Sequence, residues 1–147
     1  MKTRGKKAAS MAAAATALAT GLVLAGPVGS ASAAPDVYFI TYTYTDGSAR
    51  VEVYNNGDFA GYGAWAANPG DFGSSTGDTL IAYDKLADGY GIEATLSDGR
   101  KATTRGHSSP YTDVTTGNLD EGATRTLKVC LVKDTFSDCK TGVGVHA

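Results

Sequence analysis

The sequence predicts an all-β protein, an antiparallel β-sandwich of immunoglobulin-like or similar design with one short-loop disulfide. Three observations carry that expectation. Asp-Gly and Asn-Gly pairs punctuate the chain at Thr45-Asp46-Gly47, Asn55-Asn56-Gly57, Ala87-Asp88-Gly89 and Ser97-Asp98-Gly99. Such pairs suit hairpin turns because both residues tolerate positive φ. Between the turns lie short runs rich in Val, Ile, Thr and Tyr, at the roughly 8–12-residue spacing of sandwiches and barrels. Helical periodicity is nearly absent after residue 33, and the one candidate, Tyr83 to Ala87, is too short to compete with its neighbours.

Val37 to Thr45 reads as the first strand. Tyr38, Ile40, Tyr42 and Tyr44 share one face, and Val37, Phe39, Thr41, Thr43 and Thr45 share the other. No residue on it carries charge, so it is a poor edge strand unless something covers it. It is either a central strand with tyrosine tips at the rim or a strand offered to, or completed by, a partner. Ala49 to Tyr54, Phe59 to Ala66, Thr79 to Lys85 and Tyr90 to Leu96 follow, with a weaker run from Lys101 to Arg105. Thr124 to Lys133 and Gly142 to His146 close the chain. Leu127, Val129 and Leu131 alternate with Lys128, Cys130 and Val132, and Ile92, Ala94 and Leu96 alternate with Gly91, Glu93 and Thr95. One buried and one wet face is the antiparallel pattern. Asn68 to Gly77 and Gly106 to Gly117 read as loops, because each is rich in Gly and Ser and carries a proline.

Residues 1–33 have the anatomy of a secretory signal peptide. Lys2, Arg4, Lys6 and Lys7 form a basic start, Ala8 to Ala25 an apolar stretch, and Ala31-Ser32-Ala33 a small-x-small cleavage site. Residues 34–147 are then one domain, secreted and extracellular. All 15 acidic residues follow residue 33 and four of the 13 Lys and Arg precede it, so the mature part carries nine cations against 15 acids, a net charge of −6. An acidic surface repels phosphate backbones and anionic membranes, so neither nucleic acid nor a membrane is an expected partner.

The two cysteines, Cys130 and Cys139, are close in sequence. In an oxidising compartment a disulfide is the default. It would tie the end of the Thr124–Lys133 run to the start of the last strand and contribute roughly 2.5–3 kcal/mol through chain entropy. A zinc site would need both cysteines with His107 and His146, without any C-x-x-C pair. No metal or other cofactor is expected.

Motifs that carry catalysis are scarce. Ser108 or Ser109, His107 and Asp113 supply the residue types of a triad, but they crowd into one loop without the strand-turn-helix of a nucleophile elbow. Glu52, Glu93 and Glu121 are the only glutamates, and glycosidase chemistry needs two carboxyls facing across a cleft. No calcium loop, phosphate-cradling glycine loop or H-E-x-x-H is present. No catalytic residue is assigned. Tyr62 and Trp65 lie in Gly61-Tyr62-Gly63-Ala64-Trp65, where the glycines leave the rings free to contact a ligand. The ordinary alternative makes the single Trp a core anchor.

The Ala-rich leader, the run Gly77-Asp78-Thr79-Leu80-Ile81-Ala82-Tyr83-Asp84, and Leu127-Lys128-Val129-Cys130-Leu131-Val132-Lys133 with Cys139 following give the chain its likeness to known proteins. It resembles the small secreted β-sandwich proteins of filamentous actinobacteria, and among them the adaptor subunit of the umbrella toxin particles of Streptomyces. That resemblance implies a non-catalytic adaptor joining a lectin-bearing subunit to a large toxin-bearing one in a particle that inhibits competing hyphae. It carries over no site residue.

The expected function is therefore a secreted interaction protein, with Tyr38, Tyr42, Tyr44, Tyr62 and Trp65 as its contact residues. Strand addition at a sheet edge is one way they would act. One alternative is an inhibitor of a protease or amylase that inserts the Gly106–Gly117 loop, anchored by Arg105 or Tyr111, into an enzyme cleft. Another is a carbohydrate-binding module that uses Trp65.

Overall fold

A computed structural model describes residues 34–147. The leader read at residues 1–33 lies outside the described residues. Among the described residues nine strands build two antiparallel sheets: β1 (Val37–Thr43), β2 (Ala49–Asn55), β3 (Asp58–Ala66), β4 (Thr79–Asp84), β5 (Gly91–Leu96), β6 (Lys101–Thr103), β7 (Tyr111–Thr116), β8 (Thr124–Lys133) and β9 (Phe136–His146). One sheet has the order β1-β2-β3-β4-β7 and the other β6-β5-β8-β9. The architecture is the expected β-sandwich. Its strand order is not the immunoglobulin one, because here the first four strands form an unbroken meander in a single sheet.

The turns form where Asp-Gly and Asn-Gly stand. Asn56 and Gly57 both take positive φ, 52° and 88°, in the two-residue turn between β2 and β3, the geometry that matches strand twist. Asp98 accepts the Arg100 amide in the β5–β6 turn at 3.0 Å. In the β1–β2 turn Asp46 accepts the Ser48 amide, also at 3.0 Å.

The core is one side of each sheet. Ala49, Val51 and Val53 of β2, Trp65 of β3 and Leu80 and Ala82 of β4 face Ile92, Ala94 and Leu96 of β5, Leu127, Val129 and Leu131 of β8, and Val143 and Val145 of β9. On β3 the inward positions are Gly61, Gly63 and Trp65, which pair with Val53, Val51 and Ala49 of β2. A Cβ on Gly63 would lie 2.5 Å from Val129 Cγ2, so only glycine lets the second sheet come this close.

Three sequence expectations are corrected here. The Gly106–Gly117 stretch is not all loop: Tyr111–Thr116 is β7, an edge strand paired with β4. The Asp113 carboxylate accepts the Thr103 amide at 2.8 Å and the Thr115 hydroxyl donates to the Lys101 carbonyl at 2.7 Å. Together they close the sandwich along the β6 and β7 edges. The last strand begins at Phe136, not Gly142, because Gly142 (φ 78°) sits in an irregularity of the β8–β9 ladder rather than in a turn. Cys130 and Cys139 therefore bridge directly opposed residues inside a hairpin instead of joining two strand ends. The disulfide itself is present as expected, and it removes both thiolates from any zinc site.

Gly63→Ala should destabilise the fold by about 1–3 kcal/mol through overpacking against Val129, read as a lower urea midpoint. An unchanged midpoint would show that the sheets can separate freely at this point.

Candidate functional site

The outer face of the five-stranded sheet is aromatic. Strand register builds it in rows. Tyr38 stands opposite Tyr54, and their rings stack with centroids 4.6 Å apart and planes within 6°. Phe59 extends that row, edge-on to Tyr54 at 5.5 Å. The next row is Ile40, Glu52, Tyr62, Tyr83 and Thr112, and the one after it Tyr42, Arg50, Ala64, Ile81 and Val114. Tyr62 and Tyr83 touch at 5.2 Å. Beyond the end of β1, Tyr44 meets Phe72 edge-on at 5.6 Å.

Phe72 takes a left-handed φ of 48°, a conformation that costs a non-glycine residue on the order of 1 kcal/mol. It packs with Tyr62 against a small buried cluster of Ala64, Ala66 and Ile81 on this same face. The β3–β4 loop that holds it is tied back to the β1–β2 turn. Ser48 Oγ donates to the Asp71 carboxylate at 2.9 Å, and the same carboxylate accepts the Asn68 amide at 2.9 Å.

Six of the eight tyrosines, residues 38, 42, 44, 54, 62 and 83, lie on this face. The large apolar side chains exposed among the described residues are Tyr38, Ile40, Tyr42, Tyr44 and Val114, and all five lie here. Their exposures run from 38 to 53%, so they are open to a partner and not merely tilted outward. The opposite outer face, on the other sheet, is polar instead, with Glu93, Thr95, Lys101, Thr103 and Lys128 at its outward positions.

The charges within the aromatic rows cancel. Arg50 Nη2 and Glu52 Oε1 are 2.6 Å apart. The Tyr54 hydroxyl donates to Glu52 Oε2 at 3.0 Å, and the Arg50 guanidinium lies 4.3 Å from the Tyr62 ring centre. The bond to Glu52 raises the Tyr54 pKa above the ordinary phenol value, and burial raises that of Tyr62 against the opposing pull of Arg50. Both phenols therefore keep their protons at neutral pH. Among the described residues the one unpaired charge at the plate is Lys85, whose Nζ lies 5.6 Å from the centre of the Phe59 ring at its margin.

The structure separates the residues picked out from the sequence. Tyr38, Tyr42 and Tyr44 are exposed on the plate, and Tyr62 is half-buried within it. Trp65 is corrected: it points into the core with no exposed surface, and its Nε1 donates to the His146 carbonyl at 3.1 Å. The sugar-binding alternative built on it loses its residue. Of the two positions open to β1, the structure gives the edge of the sheet and not its centre. Its seven residues carry no charge, and Thr41 and Thr43 are exposed on its inner side.

The triad types do not assemble. Asp113 is bound to the Thr103 amide, His107 stacks on Tyr111 at 3.9 Å, and Ser109 Oγ donates to Asp84. Glu52 and Glu93 lie on the outer faces of opposite sheets, paired with Arg50 and Lys101. Among the described residues no group of three His, Cys, Asp or Glu is placed to hold a metal ion. The loop of the inhibitor alternative is shorter than expected, since Tyr111 is strand, and Arg105 donates to the Asp134 carbonyl at 2.8 Å.

Sequence reading missed Tyr54, Tyr83, Phe59, Phe72 and Val114. The first two were legible once register was known, since Tyr54 faces Tyr38 and Tyr83 faces Tyr62. Phe59 was not, because a β-bulge skips Ala60 between the Val53–Gly61 and Tyr54–Phe59 pairs. The bulge reverses the alternation and turns an odd-numbered ring outward.

No protein-family model, curated protein or solved structure matches this chain.

Asp84 offers a pH test of the buried polar groups. Burial pushes its carboxyl above the ordinary range, the Ser109 hydrogen bond opposes that, and Asp88 adds to it. A raised native pKa means that the native state holds this proton more tightly than the unfolded state. Its contribution to stability is present at low pH and is lost as pH rises through the native value. Asp84→Asn should therefore gain stability relative to wild type at about pH 7, and less at about pH 3. Thermal unfolding at both values checks this, and an equal or reversed difference would contradict it.

Proposed function

We propose that this is an extracellular, non-catalytic interaction protein that binds a partner protein through the aromatic face of its five-stranded sheet. A single observation carries the reading: every large apolar side chain exposed among the described residues lies on that face. Contiguous apolar surface of this kind marks interaction sites, and tyrosine is a preferred anchor residue at them.

Size shapes the proposal. Five strands at about 4.8 Å spacing and six residues at about 3.4 Å each make a plate of roughly 20 by 20 Å. That is about 400 Å², whereas a standard interface needs about 800 Å² from each partner. The partner must reach past the plate. The uncharged edge of β1 adjoins it and presents unpaired backbone groups for strand addition. Tyr38 and Tyr42 belong to both surfaces, and Tyr44 lies just beyond the end of the strand.

This contact fits an adaptor that joins subunits of an extracellular assembly. The resemblance to the umbrella-particle adaptor names a lectin-bearing subunit and a large toxin-bearing subunit as the partners to test first. A second reading, a polysaccharide-binding module, is favoured by the same exposed rings rather than by Trp65.

The double variant Tyr42→Ser/Tyr44→Ser tests the proposal. Both side chains are exposed and Tyr44 also meets Phe72 edge-on, so stability should fall by no more than about 2 kcal/mol in total. Affinity for the partner should fall at least about tenfold. Unchanged affinity in a folded variant would remove the aromatic face as the binding site. Retention on insoluble polysaccharide that depends on these tyrosines, with no protein bound, would favour the second reading.

A further inference from the structure

At one end of the sandwich lies a cleft of about 600 Å³, bounded by the β4–β5 connection, the β6–β7 loop and the β8–β9 turn. Arg105 and Lys133 line it, with His107, Ser108 and one acid, Asp134. Of the nine cations after residue 33, Arg50, Arg100, Lys101 and Arg125 are ion-paired. Neither cation of the cleft is among them. Two cations against the single acid of the lining, Asp134, leave the cleft with a net positive charge, a local reversal in a domain of net charge −6.

Both cations are positioned without being neutralised. Arg105 Nη1 donates to the Asp134 carbonyl, a neutral acceptor, at 2.8 Å. Lys133 Nζ lies 4.7 Å from the centre of the Tyr90 ring, which orients an ammonium but leaves its charge. A Cβ at position 89 would come within 3.2 Å of that nitrogen, so Gly89 keeps it uncovered. The nearby carboxylates are occupied elsewhere or unpaired with these cations. Asp88 accepts the Tyr90 amide and Asn55 Nδ2, and Asp84 accepts Ser109. The Asp134 side chain is exposed and forms no ion pair.

We propose that this cleft binds the phosphate group of a small ligand. The free donors are Lys133, the remaining N–H groups of Arg105 and the Ser108 hydroxyl, and they come from two separate segments. Donors converging from several directions suit a tetrahedral dianion. A phosphate group brings more charge and more acceptor oxygens to donors on two segments than a carboxylate does. The proposal is independent of the tyrosine face.

The test is titration of the purified protein with inorganic phosphate, glycerol 3-phosphate and glucuronate at constant ionic strength, followed by the NMR amide shifts of Gly89, Gly106 and His107. Saturable shifts with phosphate or its ester, and weaker ones with glucuronate, are expected. Arg105→Gln and Lys133→Gln should each weaken phosphate binding at least about tenfold, while Lys140→Gln, outside the cleft, should leave it unchanged. Tighter binding of the ester assigns a phosphorylated ligand, and tighter binding of inorganic phosphate assigns the ion itself. Absence of saturable shifts, shifts that persist in both cleft variants, or tighter binding of glucuronate in the wild-type protein would overturn the proposal. The last outcome needs no variant to fold.

Discussion

Close approach of the two sheets at β3 sets the rest of the molecule. Gly63 has no Cβ to meet Val129 of the opposite sheet, and Trp65, two residues on, fills the next layer of the core and donates to the carbonyl of His146. That bond joins the middle of one sheet to the last strand of the other. A strand shows alternate residues to alternate faces, so the same register that sends Gly61, Gly63 and Trp65 inward must send Tyr62, Ala64 and Ala66 outward. A slip of one residue would bury Tyr62 and expose the indole. Core and candidate binding face are thus two results of one constraint.

What the outward positions then carry differs between the sheets. One plate is polar and charged, with Lys101 and Glu93 bridged at 2.7 Å. The other is tyrosine-rich, and its one internal ion pair is held among neighbours on the plate itself, with Arg50 Nε buried and without a hydrogen-bond partner. Arg50 holds Glu52, Tyr54 donates to Glu52, and Tyr62 lies under the guanidinium. Covering such a plate strips water chiefly from rings, and the charges within its rows are already paired. The desolvation cost of covering the rows is thereby confined to the Arg50–Glu52 pair. Pre-stacked rings such as Tyr38 on Tyr54 also lose little rotamer freedom on binding.

The strands were legible where turn residues and alternation agreed. Thr124–Lys133 has the bounds its pattern implies, and β2 to β5 differ from their expected ends by a residue. The pattern failed where two signals competed. Tyr111 to Thr116 is β-branched and alternating, but the glycine, proline and serines before it read as one long loop, and only pairing with β4 makes it a strand. At Gly142 a turn residue serves an irregularity inside a hairpin. The candidate face was half legible. Tyr38, Tyr42 and Tyr44 stood out because they recur on one side of an uncharged strand. Trp65 was misplaced because glycine neighbours suggest exposure, whereas here they mark close packing of a second sheet. Phe72 reaches the plate from a loop, through a backbone angle that no periodicity encodes.

Hydroxyl-radical footprinting tests the central claim most directly. The protein would be labelled alone and within whatever assembly it forms in its host's culture medium, and the modification of each tyrosine compared by mass spectrometry. The account predicts protection of Tyr38, Tyr42 and Tyr44 in the assembly, with Tyr111, off the plate, labelled equally in both. Equal labelling of the plate tyrosines in both states, or protection confined to the polar sheet, would contradict it.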